Sequence, residues 1–205
     1  MATAEASENR LLVERRGRVG VATFNNPAKH NAMSRDMWRE GREAVATFAE
    51  GDEIRYVVLT GAGDRAFVAG ADISQFGESR STAEGILAYE TATEIAFNGI
   101  ADASKPTIAM IDGYCIGGGL GIALSCDMRI AAEGSTFGIP AAKLGLAYGA
   151  GGTGRLVHVV GPSFAKEIFF TARRFTHDEA LAMGLVNRVT TKDALENFVR
   201  DYCAL

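Results

Sequence analysis

Cysteine and histidine are scarce, three of each in 205 residues. Cys115, Cys126 and Cys203 form no C-x-x-C pair, are odd in number and have apolar neighbours. They fit buried, reduced thiols better than a disulfide framework or a thiolate metal site. His30, His158 and His177 are scattered without ligand spacing, so no metal is expected. Positive charge is not in excess either. Lysine and arginine number 21 against 25 aspartates and glutamates, a formal charge of −4, which leaves no basic footprint for nucleic acid. No apolar run approaches the roughly 18 residues needed to cross a membrane. The N-terminus, Met1-Ala2-Thr3-Ala4-Glu5-Ala6-Ser7-Glu8, lacks the basic-then-apolar pattern of a signal peptide and the arginines of a mitochondrial presequence. Cytoplasmic residence is the resulting expectation. At 47% apolar and 22% charged residues, the composition is that of an ordinary soluble domain with a sizeable core.

Glycine, by contrast, is plentiful, with 24 residues. The most informative cluster is Gly117-Gly118-Gly119, set between a strand-like run, Thr107–Ile111, and an apolar helix-like run, Leu120–Ser125. Glycine permits a tight turn and close approach to the backbone. The helix that follows leaves free N–H groups at its positive end. Such a turn offers donors to an anion or a developing oxyanion. It equally lets a helix pack close to its neighbours. A second segment, Phe67-Val68-Ala69-Gly70-Ala71-Asp72, follows the strand Tyr56–Thr60 and the polar turn Gly61-Ala62-Gly63-Asp64.

Together the two segments resemble the enoyl-CoA hydratase/isomerase family, the crotonases. In that family a motif of the form F-x-A-G-x-D and a G-G-G turn each contribute one backbone N–H to an oxyanion hole. Further segments follow in family order: Asn26-Pro27-Ala28-Lys29-His30-Asn31-Ala32-Met33, Lys105-Pro106-Thr107-Ile108-Ala109-Met110-Ile111-Asp112-Gly113, Phe137-Gly138-Ile139-Pro140, Leu144-Gly145, Gly149-Ala150-Gly151-Gly152-Thr153 and Ala182-Met183-Gly184-Leu185-Val186. The resemblance covers roughly residues 10–190 and rests on several ordered motifs.

The pattern along the chain agrees with it. Residues 1–9 read as a mobile tail. Leu11–Arg15 and Val19–Phe24 read as a hairpin. Ser34 caps a helix with Met37, Gly41, Ala44, Val45 and Phe48 on one face. Arg55–Thr60 is a buried strand. Ser81-Thr82-Ala83-Glu84 has capping-box spacing before a helix that runs to about residue 101. Asp127–Ala132, Thr136–Phe137 and Asn187–Val189 read as short strands. Helices are expected over Thr153–Val160, Ser163–Phe170 and Thr176–Met183, with Gly161-Pro162 separating the first two. The resemblance implies an α/β fold, a spiral of ββα units carrying C-terminal helices. Residues 10–190 would form the acyl-CoA-binding core and 191–205 the start of the helical region. That region is expected to be truncated, because the sequence stops inside a helix whose Leu195, Phe198, Val199 and Tyr202 would want a partner.

The implied chemistry is stabilisation of an enolate-like anion derived from a CoA thioester. The resemblance assigns the two donors to the backbone N–H groups of Ala71 and Gly118. It places Lys29, Ala32, Ala69, Asp72 and Ile73 beside the adenine and pantetheine of CoA. Lys29 has an electrostatic reason to be there, as a cation near a phosphate; it can also be a solvated loop lysine. Asp72 reads more readily as the cap of a helix beginning at Ile73 than as a chemical group. No cofactor is expected beyond the CoA carried by the substrate. A homotrimer or dimer of trimers is the implied assembly.

Family hydratases also use two glutamates as acid and base. The matching positions here are Gly121 and Ala141, and Gly149 stands where dienoyl-CoA isomerases add an aspartate. No Asp or Glu occurs from Gly134 to Lys166, so a register slip cannot restore a carboxylate there. Tyr148 remains, at a place similar to a tyrosine of decarboxylase-type crotonases, and Lys143 could reach either pocket or solvent. Three functions are therefore open: a hydratase-like enzyme lacking its usual acid–base pair, a decarboxylase or thioester hydrolase using Tyr148, and a non-catalytic acyl-CoA-binding or assembly subunit. Weaker motifs fail. Gly61-Ala62-Gly63 lacks the rest of a dinucleotide fingerprint, Gly149–Gly154 lacks the end of a phosphate loop, and Arg173-Arg174 with His177 reads as a solvated turn.

Overall fold

The computed structural model describes residues 10–72 and 82–205; the N-terminal tail expected over 1–9 lies outside them. The chain enters through an antiparallel hairpin of β1 (Leu11–Arg16) and β2 (Val19–Phe24). The Ser34 hydroxyl accepts from the Met37 amide at 3.3 Å and starts α1 (Arg35–Glu50). As the 3.6-residue period predicts, Met37, Gly41, Ala44, Val45 and Phe48 are buried along that helix, joined by Trp38.

A three-part unit then repeats: a strand in a large sheet, a short strand in a small sheet, and a helix. The first is β3 (Tyr56–Gly61), β4 (Ala66–Val68) and α2 (Ala83–Ala101). The second is β5 (Thr107–Ile111), β6 (Tyr114–Ile116) and α3 (Gly118–Ser125). The third is β7 (Met128–Ala132), β8 (Thr136–Gly138) and, after a 3-10 turn at Pro140–Leu144, α4 (Ala150–Thr171). β9 (Phe175–Thr176), α5 (His177–Ala182), β10 (Arg188–Thr190) and α6 (Leu195–Tyr202) complete the chain. The large sheet has the order β1-β2-β3-β5-β7-β10 and the small one β4-β6-β8-β9. All pairs are parallel except β1–β2 and β8–β9. Each turn of the spiral thus adds one strand to each sheet.

Strands β4, β6 and β9 have only two or three residues, too few for a period to register in the sequence. The helix expected from Ser81 begins one residue later: Thr82 Oγ1 accepts from the Gly85 amide at 3.0 Å, and Ser81 lies outside the described residues. The two helices expected around Gly161-Pro162 follow one another within α4 and are separated by a kink. Gly161 has φ +74° and ψ 168°, which a side chain would resist, and Pro162 has no N–H for the helical ladder.

Alternating residues of the large sheet feed two cores. Ala22, Phe24, Val57, Leu59, Ala109, Ile111 and Ala131 point into the main core, between sheets and helices. Val21, Val58, Ile108, Ile130 and Ala132 point the other way and are covered by Leu195 and Val199 of α6, with Phe198 and Tyr202 packed at the margin. The partner that Leu195, Phe198, Val199 and Tyr202 were expected to want is thus the outer face of the sheet. The apolar face of α6 closes the outer side of the sheet, each buried Leu or Val contributing about 1.5–3 kcal/mol. With both faces covered, the central strands can be apolar throughout, as Val57-Val58-Leu59 is.

Candidate active site

The site forms where the early loop, the end of β4 and the start of α3 meet. Asn31 organises the first two. It is fully buried, with φ 56°. Its Nδ2 donates to the carbonyls of Ala62 and Ala66 at 2.9 and 2.7 Å, and its Oδ1 accepts from the Asn26 amide at 2.9 Å. Backbone bonds then hold the neighbouring segment in register. Ala69 N donates to His30 O at 3.0 Å, Met33 N to Gly70 O at 2.8 Å, and Asp72 N to Met33 O at 2.9 Å. Ala71 pairs in parallel with Met33 across this short ladder. The Ala71 N–H faces away from it, and among the described residues it donates to no protein group.

Gly117 makes the turn into α3 with φ 56° and ψ −116°, a conformation closed to other residue types at low cost. Its amide donates to Gly138 O at 2.8 Å, which ties the turn to β8. Gly118 is the first residue of α3, so its N–H has no intrahelical acceptor, and no other backbone acceptor is recorded for it among the described residues. A Cβ on Gly118 would lie 3.9 Å from Ala71 N and 2.9 Å from Trp38 Cη2. Two uncommitted amides, 47 residues apart in the chain (118 − 71), are thus brought side by side, with an indole closing the space next to them.

The other expected residues divide. Lys29 Nζ donates to Asp72 Oδ2 at 2.8 Å; the lysine is half exposed and the carboxylate is buried. Lys29 is thus an ion-paired residue rather than a bare solvated one, and Asp72 has a lysine partner in addition to any capping role. The helix expected from Ile73, and Ile73 itself, lie outside the described residues. Ala32 and Ala69 are half-buried next to the same ladder. Tyr148 does reach the turn: its Oη lies 3.7 Å from where a Gly117 Cβ would stand, and its ring packs edge-on to Phe169 of α4 at 5.4 Å. Lys143 is exposed and has no polar partner among the described residues.

The two positions without carboxylates are filled by apolar packing. A Cβ at Gly121 would come 2.5 Å from Phe97 Cζ, and Ala141 is buried in the main core. Phe97 in turn packs edge-on to Trp38, with ring centroids 5.4 Å apart. Reading by residue type missed both rings, because nothing in the local pattern of α1 or α2 separates an aromatic wall of a site from a core residue. Asn31 had a signal in the Asn31-Ala32-Met33 motif, but its clamp role needed the fold.

Burial pushes the Cys126 thiol up to about 12, and the Cys115 thiol higher still, so neither offers a thiolate nucleophile. Burial also lowers the Arg129 guanidinium, which donates to the carbonyls of Ala123, Cys126 and Leu185. Among the described residues, no cluster of three His, Cys, Asp or Glu side chains is arranged to hold a metal, and no helix is long and apolar enough to cross a membrane.

Residues 14–204 match the family model for enoyl-CoA hydratase/isomerase. A short-chain-enoyl-CoA hydratase of Clostridium acetobutylicum is 40% identical over 193 residues, 94% of this chain and 73% of that protein. A crotonyl-CoA hydratase of Syntrophomonas wolfei is 37% identical over 190 residues, 93% of this chain and 72% of that protein. Among solved structures, an enoyl-CoA hydratase/carnithine racemase from Magnetospirillum magneticum superposes with a TM-score of 0.93 at 36% identity, covering 97% of this chain and 74% of that one.

Proposed function

Because this chain belongs to the enoyl-CoA hydratase/isomerase family and has its crotonase fold, we propose that it binds CoA thioesters and stabilises an enolate-like anion with the Ala71 and Gly118 amides. The observation that carries this is the convergence of two amides with no backbone acceptor among the described residues, one at the end of an isolated ladder and one at a helix start. Each preorganised donor typically contributes about 3–4 kcal/mol to stabilising such an anion. Lys29, Ala32, Ala69, Asp72 and Ile73 border the CoA in this reading, and CoA enters as part of the substrate rather than as a resident cofactor. A homotrimer or dimer of trimers in the cytoplasm belongs to the same proposal. The reaction differs from ordinary hydration, since Gly121 faces Phe97 and Ala141 lies in the core.

One observation favours decarboxylation or thioester cleavage as a second reading, the approach of Tyr148 Oη to the Gly117 turn. The experiment is a panel of acyl-CoAs, including crotonyl-, methylmalonyl- and β-keto-CoAs, with products read by mass spectrometry. Calorimetry with acetoacetyl-CoA runs beside it. Absence of binding at millimolar ligand by the folded protein overturns the proposal.

A further inference from the structure

Gly121 and Ala141 offer no carboxylate, yet α2 brings one, that of Glu94, against the first turn of α4. We propose that Glu94 of α2 exchanges the α-proton of the bound acyl group. This rests on the reading that the Ala71 and Gly118 amides hold a thioester oxygen.

Two separate routes of contact lead from the amide pair to Glu94. Along α2, Phe97 packs on Gly121, one turn beyond Gly118, and Glu94 lies three residues before Phe97 on the same helix face. Along α4, Tyr148 approaches Gly117, and its Cδ1 lies 3.8 Å from where a Gly152 Cβ would stand. One residue earlier, a Cβ at Gly151 would collide with Glu94 Oε1 and stand 2.8 Å from its Cδ. Glycine at 151 is thus what admits the carboxylate to the first turn of α4, three residues along the chain from Tyr148. Arg155, one turn on, holds it there: its Nη1 is 3.6 Å from Glu94 Oε1, while its Nη2 bonds Asn98 and its guanidinium lies over Phe97. At 3.6 Å the pair is an ion pair without a hydrogen bond, and Arg155 Nη1 is buried with no hydrogen-bond partner. The carboxylate is steered but keeps its lone pairs available, and the side chain is 42% exposed, open to a ligand.

The step is balanced within the site. The acyl Cα–H bond breaks, its proton goes to a Glu94 carboxylate oxygen, and its electron pair passes to the thioester oxygen held by the two amides. Reversal returns a proton from the same carboxylic acid.

The test is deuterium uptake at the α-carbon of butyryl-CoA in D2O, read by mass spectrometry, with acetoacetyl-CoA affinity measured alongside. Wild type should exchange. Glu94→Gln should exchange at least ~100-fold more slowly, the typical loss for a general base. Its affinity for acetoacetyl-CoA should stay within about threefold, under 1 kcal/mol. Glu94→Ala should regain exchange when formate is added, which a residue that merely tethers α2 to α4 would not show. Exchange by Glu94→Gln within about threefold of wild type overturns the inference, as does failure of formate to rescue Glu94→Ala. Wild type that binds acetoacetyl-CoA but exchanges nothing also overturns it, leaving the binding proposal intact. Wild type that binds nothing removes both.

Discussion

Placing a glutamate at position 121 is the sharpest probe of the proposal that this site departs from an ordinary hydratase. A Cβ there would stand 2.5 Å from Phe97 Cζ, where contacts of 3.4–4 Å are ordinary. The helix backbone at Gly121 cannot retreat, since its amide bonds Gly117 O at 3.1 Å and its carbonyl accepts from Ser125 Oγ at 2.9 Å. The Phe97 ring must move instead, and Trp38 stands behind it. Overpacking of this kind costs about 1–3 kcal/mol. For a domain of this size that is a fall in melting temperature of roughly 2–12 °C. Phe97→Ala alone should cost about 3–5 kcal/mol, because Phe97 is 8% exposed and leaves a cavity. The double variant should be less destabilised than the sum of the two, with a coupling of about 0.5–3 kcal/mol, because each change relieves the other. Thermal denaturation of the four proteins measures the cycle. Crotonyl-CoA hydration should stay low in these four proteins and rise only in a fifth, which carries Phe97→Ala together with Gly121→Glu and Ala141→Glu. A Gly121→Glu protein that melts with wild type, or a cycle that is strictly additive, would show that Phe97 does not occupy this position.

Further outcomes follow from the same geometry. The chain has one tryptophan, and Trp38 lies against Gly118, so acetoacetyl-CoA should change its fluorescence in step with calorimetric binding; binding without a change would refute that placement. Gly118→Pro should abolish any turnover, because proline removes the amide that would meet the oxyanion, with circular dichroism and oligomer size as the check that the fold accommodates the ring beside Trp38. Surviving activity in a folded Gly118→Pro protein would rule out this chemistry. Asn31→Ala strips three hydrogen bonds from the loop and leaves buried groups unpaired, at about 1–3 kcal/mol for each; it should lower both the melting temperature and acyl-CoA affinity, read by denaturation and titration. Alkylation at neutral pH should reach Cys203 before Cys115 and Cys126, by peptide mass spectrometry, since only Cys203 is half-buried. Burial raises the Cys126 thiol from 9.0 to about 12, so the unfolded chain loses that proton first. This contribution to stability is full below pH 9 and falls as pH rises towards 12.

Local pattern carried much of this protein. The hairpin, the Ser34-capped helix, β5, β7 and the Gly161-Pro162 break were legible because each is a run long enough to show its period, or a residue whose backbone preference is strong. The places of Ala71 and Gly118 came from the family resemblance, whose two motifs call for small residues at set turns. The fold brings those two turns together, and the donor roles belong to the proposed function. The absence of carboxylates at Gly121 and Ala141 was equally plain.

What the residues could not disclose is what lies across from them. The face of α6 has its partner in Val21, Val58, Ile108 and Ile130, which come from four strands scattered over the chain. Lys29 and Asp72, 43 residues apart, become an ion pair only when the Asn31 clamp has joined the two loops. The same holds for the wall of the site. Gly121 looks like a lost catalytic residue until Phe97 is seen to fill its space, and Gly151 like one more loop glycine until the Glu94 carboxylate lies against it. Local propensity acts between neighbours in sequence and can be read there. Close packing acts between surfaces that meet only after the spiral closes, so which side chain fills which glycine's space was settled by tertiary structure alone.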